Sequence, residues 1–467
     1  MTSKISIYNT LTDKKEFLEI PATRQYLKLF VCGPTVYDDP HIGNARTYLA
    51  FDIIVRYLRF QNINVFYLQN ITDIDDKIID RAQKENAPYQ KIARKFEKKY
   101  HDNEKALNIK TITKYARATK FIPEIIQQIQ ILIAKGCAYK IDGDGYYFDI
   151  SKFPEYGKLS HRTIEAAEDA VTRIDNSLNK RNKGDFTLWK FSDNKPFWKT
   201  PIGTGRPGWH IEDTAITEKF FGPQYDLHGG AIDLKFPHHE AEIAEQECAS
   251  GKKPLVKIWL HAGFLLVNGE KMSKSKNNFI TIDEFLENYS ANALRYLVLS
   301  HHYRSPINYT ETLIGQIHNA LSSVEDFNAK LKLVIKKGSN KSFQNLLAID
   351  LENMSKEFHA AMSDDFNTPL ALAAIFLLIN KYNPKIYNLS KKEARQIYKS
   401  IFNLFKILGL EFKSDKISEQ ILKLITERED ARLSKNFSKA DSIRQEIEKL
   451  NYKVTDTPLG QLVTPIN

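Results

Sequence analysis

Cysteine is scarce in this chain: three residues in 467, at Cys32, Cys137 and Cys248. So odd and scattered a set excludes a disulfide framework and points to a reducing compartment. Long apolar runs are missing as well. The longest, Leu370 to Ile379, is too short to span a bilayer and reads as buried helix. Met1 to Asp13 mixes charged and polar residues without an apolar stretch, so no signal peptide is expected. No Walker A sequence, internal repeat or low-complexity tract occurs. What is present is ordinary globular hydrophobicity, 42%, and a net charge of +10. A positive balance favours a polyanionic partner such as RNA. The length exceeds one compact core and implies roughly three domains. The expectation is a cytoplasmic, basic, multidomain protein without a membrane segment.

Leu27–Val31 is an apolar, β-prone run followed by the turn-rich Cys32–Gly33–Pro34–Thr35. From Gly43 to Phe60, Leu49, Ile53, Ile54, Tyr57 and Leu58 recur at helical spacing. Val65–Leu68 reads as a second strand. Strand, helix and strand in succession predict a βαβ unit and a parallel sheet. Ligands of such sheets sit beyond the carboxyl ends of the strands, where Cys32 and His41 fall. Residues from about 115 to 205 read as an insertion, with a turn at Asp142–Gly143–Asp144–Gly145 before the strand-like Tyr146–Ile150. From about 311 onward glycine and proline thin out and helical periodicity dominates, as in Leu370–Asn380 and Ala440–Leu450.

Two segments carry phosphate chemistry. His41–Ile42–Gly43–Asn44 sits where the first helix begins, and a helix N-terminus offers N–H groups and a positive dipole end to a triphosphate. Gly43 permits close backbone approach. His41 and Asn44 lie one turn apart and carry donors for phosphate oxygens. Taken alone, an ordinary helix cap explains this segment equally well. Lys271–Met272–Ser273–Lys274–Ser275 follows the hairpin-type turn Asn268–Gly269, which puts two ammonium groups on a loop where they can neutralise charge on a transferring phosphate. A third segment, Gly203–Thr204–Gly205–Arg206–Pro207–Gly208, fits the G-x-G-x-x-G pattern but neither follows a clear strand nor opens a βαβ unit, and Pro207 lacks a needed N–H. A dinucleotide role is set aside.

The two phosphate segments together resemble the signature motifs of class I aminoacyl-tRNA synthetases. That resemblance implies ATP, with Mg2+, at His41, Gly43, Asn44 and Lys274. His41 and Asn44 then stabilise the phosphates, Lys274 is the chief catalytic lysine and Lys271 stands beside it. Asn44 departs from the family, where a second His is most common; it still donates a hydrogen bond but carries no charge.

His238 and Glu242, four apart in Pro237–His238–His239–Glu240–Ala241–Glu242, fall on one helix face, a common metal-ligand spacing. Trp209–His210–Ile211–Glu212–Asp213 supplies a further candidate ligand. More specifically, several stretches resemble the cysteinyl-tRNA synthetase family. They are Cys32–Gly33–Pro34–Thr35–Val36–Tyr37–Asp38, Asn70–Ile71–Thr72–Asp73–Ile74–Asp75–Asp76–Lys77, Gly208 to Glu212, Asp226–Leu227–His228–Gly229–Gly230, Phe236 to Glu240, Asp364 to Pro369 and Asp456–Thr457–Pro458. The likeness runs from about residue 5 to about 460.

The resemblance implies an α/β architecture: a Rossmann-type catalytic domain over residues 1–250 with the insertion at about 115–205, a stem-contact region carrying the lysine loop over 251–310, a helical bundle over 311–400 and a small anticodon-binding domain over 401–467, the last two forming an all-α tRNA-binding region. It implies a monomer that activates L-cysteine with ATP and transfers it to tRNA(Cys). It also implies one zinc ion, held by Cys32, Asp213, His238 and Glu242, that takes the thiolate of substrate cysteine. Cys32, Gly33, Thr72, Trp209, His228 and Asp233 are the implied substrate-pocket residues. Asp213 is the main departure, because the family has a second Cys there. The formal charge is kept while softness drops. A zinc ion discriminates thiolate from hydroxyl where an apolar pocket does so poorly, so Asp213 implies weaker rejection of serine. Arg428, Arg432, Lys435, Lys439 and Arg444 are candidate RNA contacts. A cysteine–amino-sugar ligase would share the catalytic motifs, but the likeness through Pro458 argues against it.

Overall fold

The computed structural model describes residues 4–20, 25–162, 177, 179–194, 196–273, 276, 278–340, 346–412 and 418–466. The chain divides into two compact units. The first comprises Met1–Leu294, His301–Tyr309 and Ser363–Phe366; the second comprises the rest.

The first unit begins with the hairpin β1 (Ser6–Asn9) and β2 (Lys14–Phe17). The βαβ unit follows as the spacing predicts: β3 (Leu27–Val31), α1 (Ile42–Phe60) and β4 (Val65–Ile71), with the two strands parallel. Next come α2 (Asp76–Lys84), α3 (Tyr89–Ala106) and β5 (Lys114–Arg117). β5 pairs with β4 as a short edge strand. Its Lys-Tyr-Ala-Arg sequence has no alternating apolar face, which is why the pattern missed it. The insertion carries α4 (Ile122–Ala134) and an antiparallel sheet of β6 (Ala138–Ile141), β7 (Gly145–Phe148), β8 (Phe186–Phe191) and β9 (Gly205–Pro207). The G-x-G-x-x-G segment is β9 with its flanks. A Cβ on Gly205 would meet Lys190 O at 2.1 Å and one on Gly208 would meet Thr187 O at 1.9 Å, so these glycines serve strand packing.

Then α5 (Ile211–Phe221), β10 (Tyr225–Ala231), α6 (His238–Ser250) and β11 (Val256–Ala262) complete a five-stranded parallel sheet in the order β11-β10-β3-β4-β5. Its core gathers Phe30, Leu68, Ile125, Ile129, Trp189 and Trp259. A smaller sheet holds β12 (Leu265–Val267), β13 (Glu270–Lys271) and β14 (Ile307–Tyr309). Asn268 and Gly269 both have positive φ, 51° and 82°, and close the β12–β13 hairpin in the manner of a type I′ turn. α7 (Ile282–Asn288) starts on the capping box of Thr281 and Glu284.

The second unit is helical: α9 (Glu311–Lys337) comes after α8 (Ala291–Leu299), followed by α10 (Leu347–Ser363), α11 (Thr368–Tyr382), α12 (Lys391–Ile407), α13 (Glu419–Leu433) and α14 (Phe437–Lys449). It ends in a β-hairpin, β15 (Tyr452–Thr457) and β16 (Gly460–Pro465), where the periodicity had predicted only helix. Arg428 is not available to RNA. It is fully buried and forks onto Asp456 at 2.9 and 3.1 Å, with Gln461 beside it. Arg432 and Arg444 are also paired within the unit, to Asp456 and Glu448. Lys435 and Lys439 are exposed.

On α3, His101 lies between Glu104, at 2.9 Å, and Glu97, at 3.8 Å. Those hydrogen bonds push its pKa from the usual 6.5 to about 9. A folded-state pKa above the unfolded value means stabilisation that is full below pH 6.5 and is lost as pH rises through 9. His101 is about a third exposed, so screening reduces the effect. His101→Gln is expected to lower unfolding stability by about 1 kcal/mol at pH 6 and by nothing measurable at pH 10. Denaturant titrations at the two pH values check this; equal losses would exclude the charged pair.

Candidate active site

The carboxyl ends of β3 and β4 are tied across the sheet. Thr72 N donates to Pro34 O at 3.1 Å and Val36 N to Thr72 O at 3.2 Å. Gly33 lies so close to β4 that a Cβ would stand 1.8 Å from Asn70 O, and its N–H donates to Asn70 Oδ1. Here the chain opens a cleft of about 490 Å³, lined among others by Cys32, Gly33, His41, Gly43, Asn44, Thr72, Trp209, Asp213, Asp233, His238, Lys271, Met272 and Phe279.

One wall is the start of α1. His41 is its N-cap: Nδ1 accepts from Gly43 N at 3.1 Å and Asn44 N at 3.3 Å, while Asn44 Oδ1 accepts from His41 N at 3.1 Å. The cap is therefore real, and it fixes the tautomer: with Nδ1 accepting, the proton sits on Nε2, the donor left for a ligand. Burial pushes the His41 pKa down to about 4, so the ring is neutral near pH 7. The stretch that follows the second phosphate segment runs alongside. Ile42 N donates to Ile280 O at 3.1 Å and Ile282 N to Pro40 O at 2.9 Å. A Cβ on Gly43 would stand 2.6 Å from Met272 Cε and 2.8 Å from the His41 ring. Lys271 lies 3.3 Å from Asp233 and 5.0 Å from the Phe264 ring centre. Asp233 is exposed, with Lys271 as its partner, rather than buried in the apolar run around it. Lys274 and Ser275 lie outside the described residues.

The floor is polar and buried. Cys32 Sγ lies 3.8 Å from both Asp213 Oδ2 and Glu242 Oε1. His238 Nε2 lies 3.0 Å from Asp213 Oδ2 and 3.3 Å from Glu242 Oε1. β3 supplies the thiol, the first turn of α5 supplies Asp213, and α6 supplies His238 and Glu242 from one face. These four donor atoms lie within 4.8 Å of one another, and one thiol, one imidazole and two carboxylates suit a divalent cation. Asp213 Oδ1 and Glu242 Oε2 are buried without hydrogen-bond partners among the described residues, which an ion would supply. Of the other acids of α6, Glu240 accepts from Gly157 N and Ser160 N and Glu247 from Leu255 N and Lys158, while Glu245 accepts from Thr214 through Oε2 and its Oε1 is buried without a partner among the described residues. Burial raises the Asp213 and Glu242 carboxyls and the Cys32 thiol well above their usual ranges and lowers His238 to about 3. His238 Nδ1 is 2.7 Å from His210 Nδ1, an outer contact that orients Nε2 toward the carboxylates.

A second group shares Cys32 and Glu242 but uses His228 and His239. Their Nε2 atoms lie 3.4 and 3.2 Å from Cys32 Sγ. His228 is fully buried behind Cys32, not among the cleft-lining residues; its Nδ1 faces the Tyr225 hydroxyl at 2.7 Å and its ring stacks on Trp259. Thr72 donates to Glu212, and Trp209 stacks on His238 with ring centres 4.5 Å apart.

The family model described as the tRNA synthetases class I (C) catalytic domain matches residues 19–319, and that of the DALR domain matches residues 357–413. The cysteine–tRNA ligase of Caldicellulosiruptor saccharolyticus is 42% identical over 468 residues, 99% of this chain and all of that protein. The chain belongs to the cysteine–tRNA ligase family. The ligase of Thermococcus gammatolerans is 40% identical over 98% of each chain. Among solved structures, methionyl-tRNA synthetase of Mycobacterium tuberculosis bound by methionyl-adenylate superposes with a TM-score of 0.63 at 15% identity, covering 82% of this chain and 92% of that one. That likeness establishes the fold.

Sequence reasoning missed His239 and His261, which lie in contact through Nδ1 and Nε2 at 2.8 Å behind the floor. A readable signal existed: a histidine ending the apolar strand β11 needs a buried partner. Gly43→Ala is expected to lower kcat/KM for ATP by about 100-fold through displacement of the capping ring and Met272. Pyrophosphate exchange kinetics check it; wild-type values would show that the close approach is dispensable.

Proposed function

We propose that this chain activates L-cysteine with ATP, forming cysteinyl-adenylate and pyrophosphate, and then transfers cysteine to tRNA(Cys). The observation that carries the reading is the packing of Met272 against Gly43, which seats the lysine segment on the capped start of α1, above a floor built around Cys32. ATP with Mg2+ lies along His41, Gly43 and Asn44. The His41 Nε2–H and the Asn44 amide donate to phosphate oxygens, and Lys271 and Lys274 neutralise charge developing in the transfer. Lys271 lies 3.3 Å from Asp233, so ATP competes with an aspartate for this lysine.

Cys32, Asp213, His238 and Glu242 hold a zinc ion, which supplies a Lewis acid that prefers a thiolate to a hydroxyl. Trp209, packed on His238, and Thr72, positioned by Glu212, shape the wall beside the cysteine side chain. Asp233 and Gly33 complete the pocket, and His228 acts from behind Cys32 rather than by direct contact. Residues 251–310 meet the acceptor stem, 311–400 form the bundle, and 401–467 bind the anticodon through exposed groups such as Lys435 and Lys439. The protein works as a cytoplasmic monomer. Among the described residues no helix is long and apolar enough to cross a membrane.

Cysteine-dependent charging of tRNA is the direct test; amide ligation to an amino-sugar without tRNA charging would overturn the reading. Protein purified without chelator is expected to carry zinc by elemental analysis, and a metal-free, fully active protein would remove the metal from the account. Asp213→Cys is expected to raise the cysteine-to-serine specificity ratio several-fold, because a softer ligand set matches a thiolate better. An unchanged ratio in competition assays would contradict that role for Asp213.

A further inference from the structure

Arg46 lies on α1, just past the His41–Asn44 cap, and is fully buried. A buried guanidinium normally sits against a carboxylate, because an uncompensated charge is costly to hold in the interior. Here no carboxylate of the described residues pairs with it, and the acceptors it reaches are main-chain carbonyls. Nε donates to Gly263 O at 3.0 Å, and Nη2 reaches His302 O at 3.3 Å, Tyr303 O at 2.8 Å and Ser305 O at 2.5 Å. Burial lowers its pKa only to about 10, so it stays cationic near pH 7.

These acceptors occupy a particular place. Gly263 lies two residues before β12, and the 302–305 turn ends two residues before β14. The two strands pair in parallel, and β12 continues through the tight turn into β13, which carries Lys271. Gly263 N donates to Tyr303 O at 2.9 Å, and a Cβ on Gly263 would stand 2.6 Å from Ser305 O, so the two approaches are locked together at the guanidinium. One side chain of the helix that His41 caps thereby holds the approaches to two strands of the three-stranded sheet that carries Lys271.

We propose that Arg46 is a positioning residue for adenylate formation: it fixes β13, and with it Lys271, at its working distance from the start of α1. The planar fork is essential, since one guanidinium meets carbonyls from two chain segments whereas an ammonium is a point charge with no fixed fork. The proposal rests on the adenylation reading above and concerns the first half-reaction, in which phosphate charge develops.

The test uses the full-length protein with Arg46→Lys and Arg46→Gln. Cysteine-dependent ATP–pyrophosphate exchange is expected to fall about 100-fold in kcat for both, with KM for cysteine unchanged. Single-turnover transfer from preformed adenylate to tRNA is expected to keep its wild-type rate. In a Lys271→Ala background, Arg46→Gln is expected to add little further loss, because the two act through one element. Wild-type exchange by Arg46→Lys, equal losses in exchange and transfer, or multiplying losses in the double variant would each overturn the proposal. Failure of the underlying reading looks different: the wild-type protein then shows no cysteine-dependent exchange, and both fall.

Discussion

Holding a thiol and two carboxylates together in the protein interior is the constraint on which the rest of the structure turns. Cys32, Asp213 and Glu242 converge from the end of β3, the first turn of α5 and the first turns of α6, and all are buried. Like-charged groups out of water repel and lose hydration, so they coexist as anions only with a cation between them. The surrounding histidines do not fill that role, because burial holds His210, His228 and His239 neutral near pH 7. The cluster is therefore compatible with an ion from outside the chain, at the base of the cleft.

The opposite wall obeys a separate constraint, one of backbone contact. His41 caps α1 with its own ring, Gly43 leaves room for Met272, and residues 280–282 run beside residues 40–42. Phosphate chemistry needs these segments at a fixed separation. Buried hydrogen bonds to main-chain carbonyls supply that rigidity more reliably than contacts between exposed charges, which salt and solvent weaken. The cleft is thus assembled from an electrostatically demanding floor and a geometrically locked wall.

Much of this was legible in the amino-acid sequence, for physical reasons. β3, α1 and β4 carry strong hydrophobic periodicity, and the structure follows it. His238 and Glu242 are one helical turn apart, so their shared face is a local property. Asn268–Gly269 encodes its turn through positive φ. What was not legible depended on distant partners. β5 has no apolar face of its own and is a strand only because β4 presents an edge. The β15–β16 hairpin follows two amphipathic helices, and Arg428 looked like part of a basic helix surface until Asp456, far along the chain, was seen to bury it. Arg46 has no sequence signature, since its acceptors are carbonyls that every residue carries.

The central claim is that Asp213 stands in the metal shell in place of a thiolate. X-ray absorption at the zinc edge tests it most directly. The account predicts one sulfur at about 2.3 Å and three nitrogen or oxygen neighbours at about 2.0–2.1 Å for the wild-type protein, and two sulfurs for Asp213→Cys. A shell that keeps one sulfur in that variant would contradict the assignment and move the ion to the group formed by Cys32, His228, His239 and Glu242.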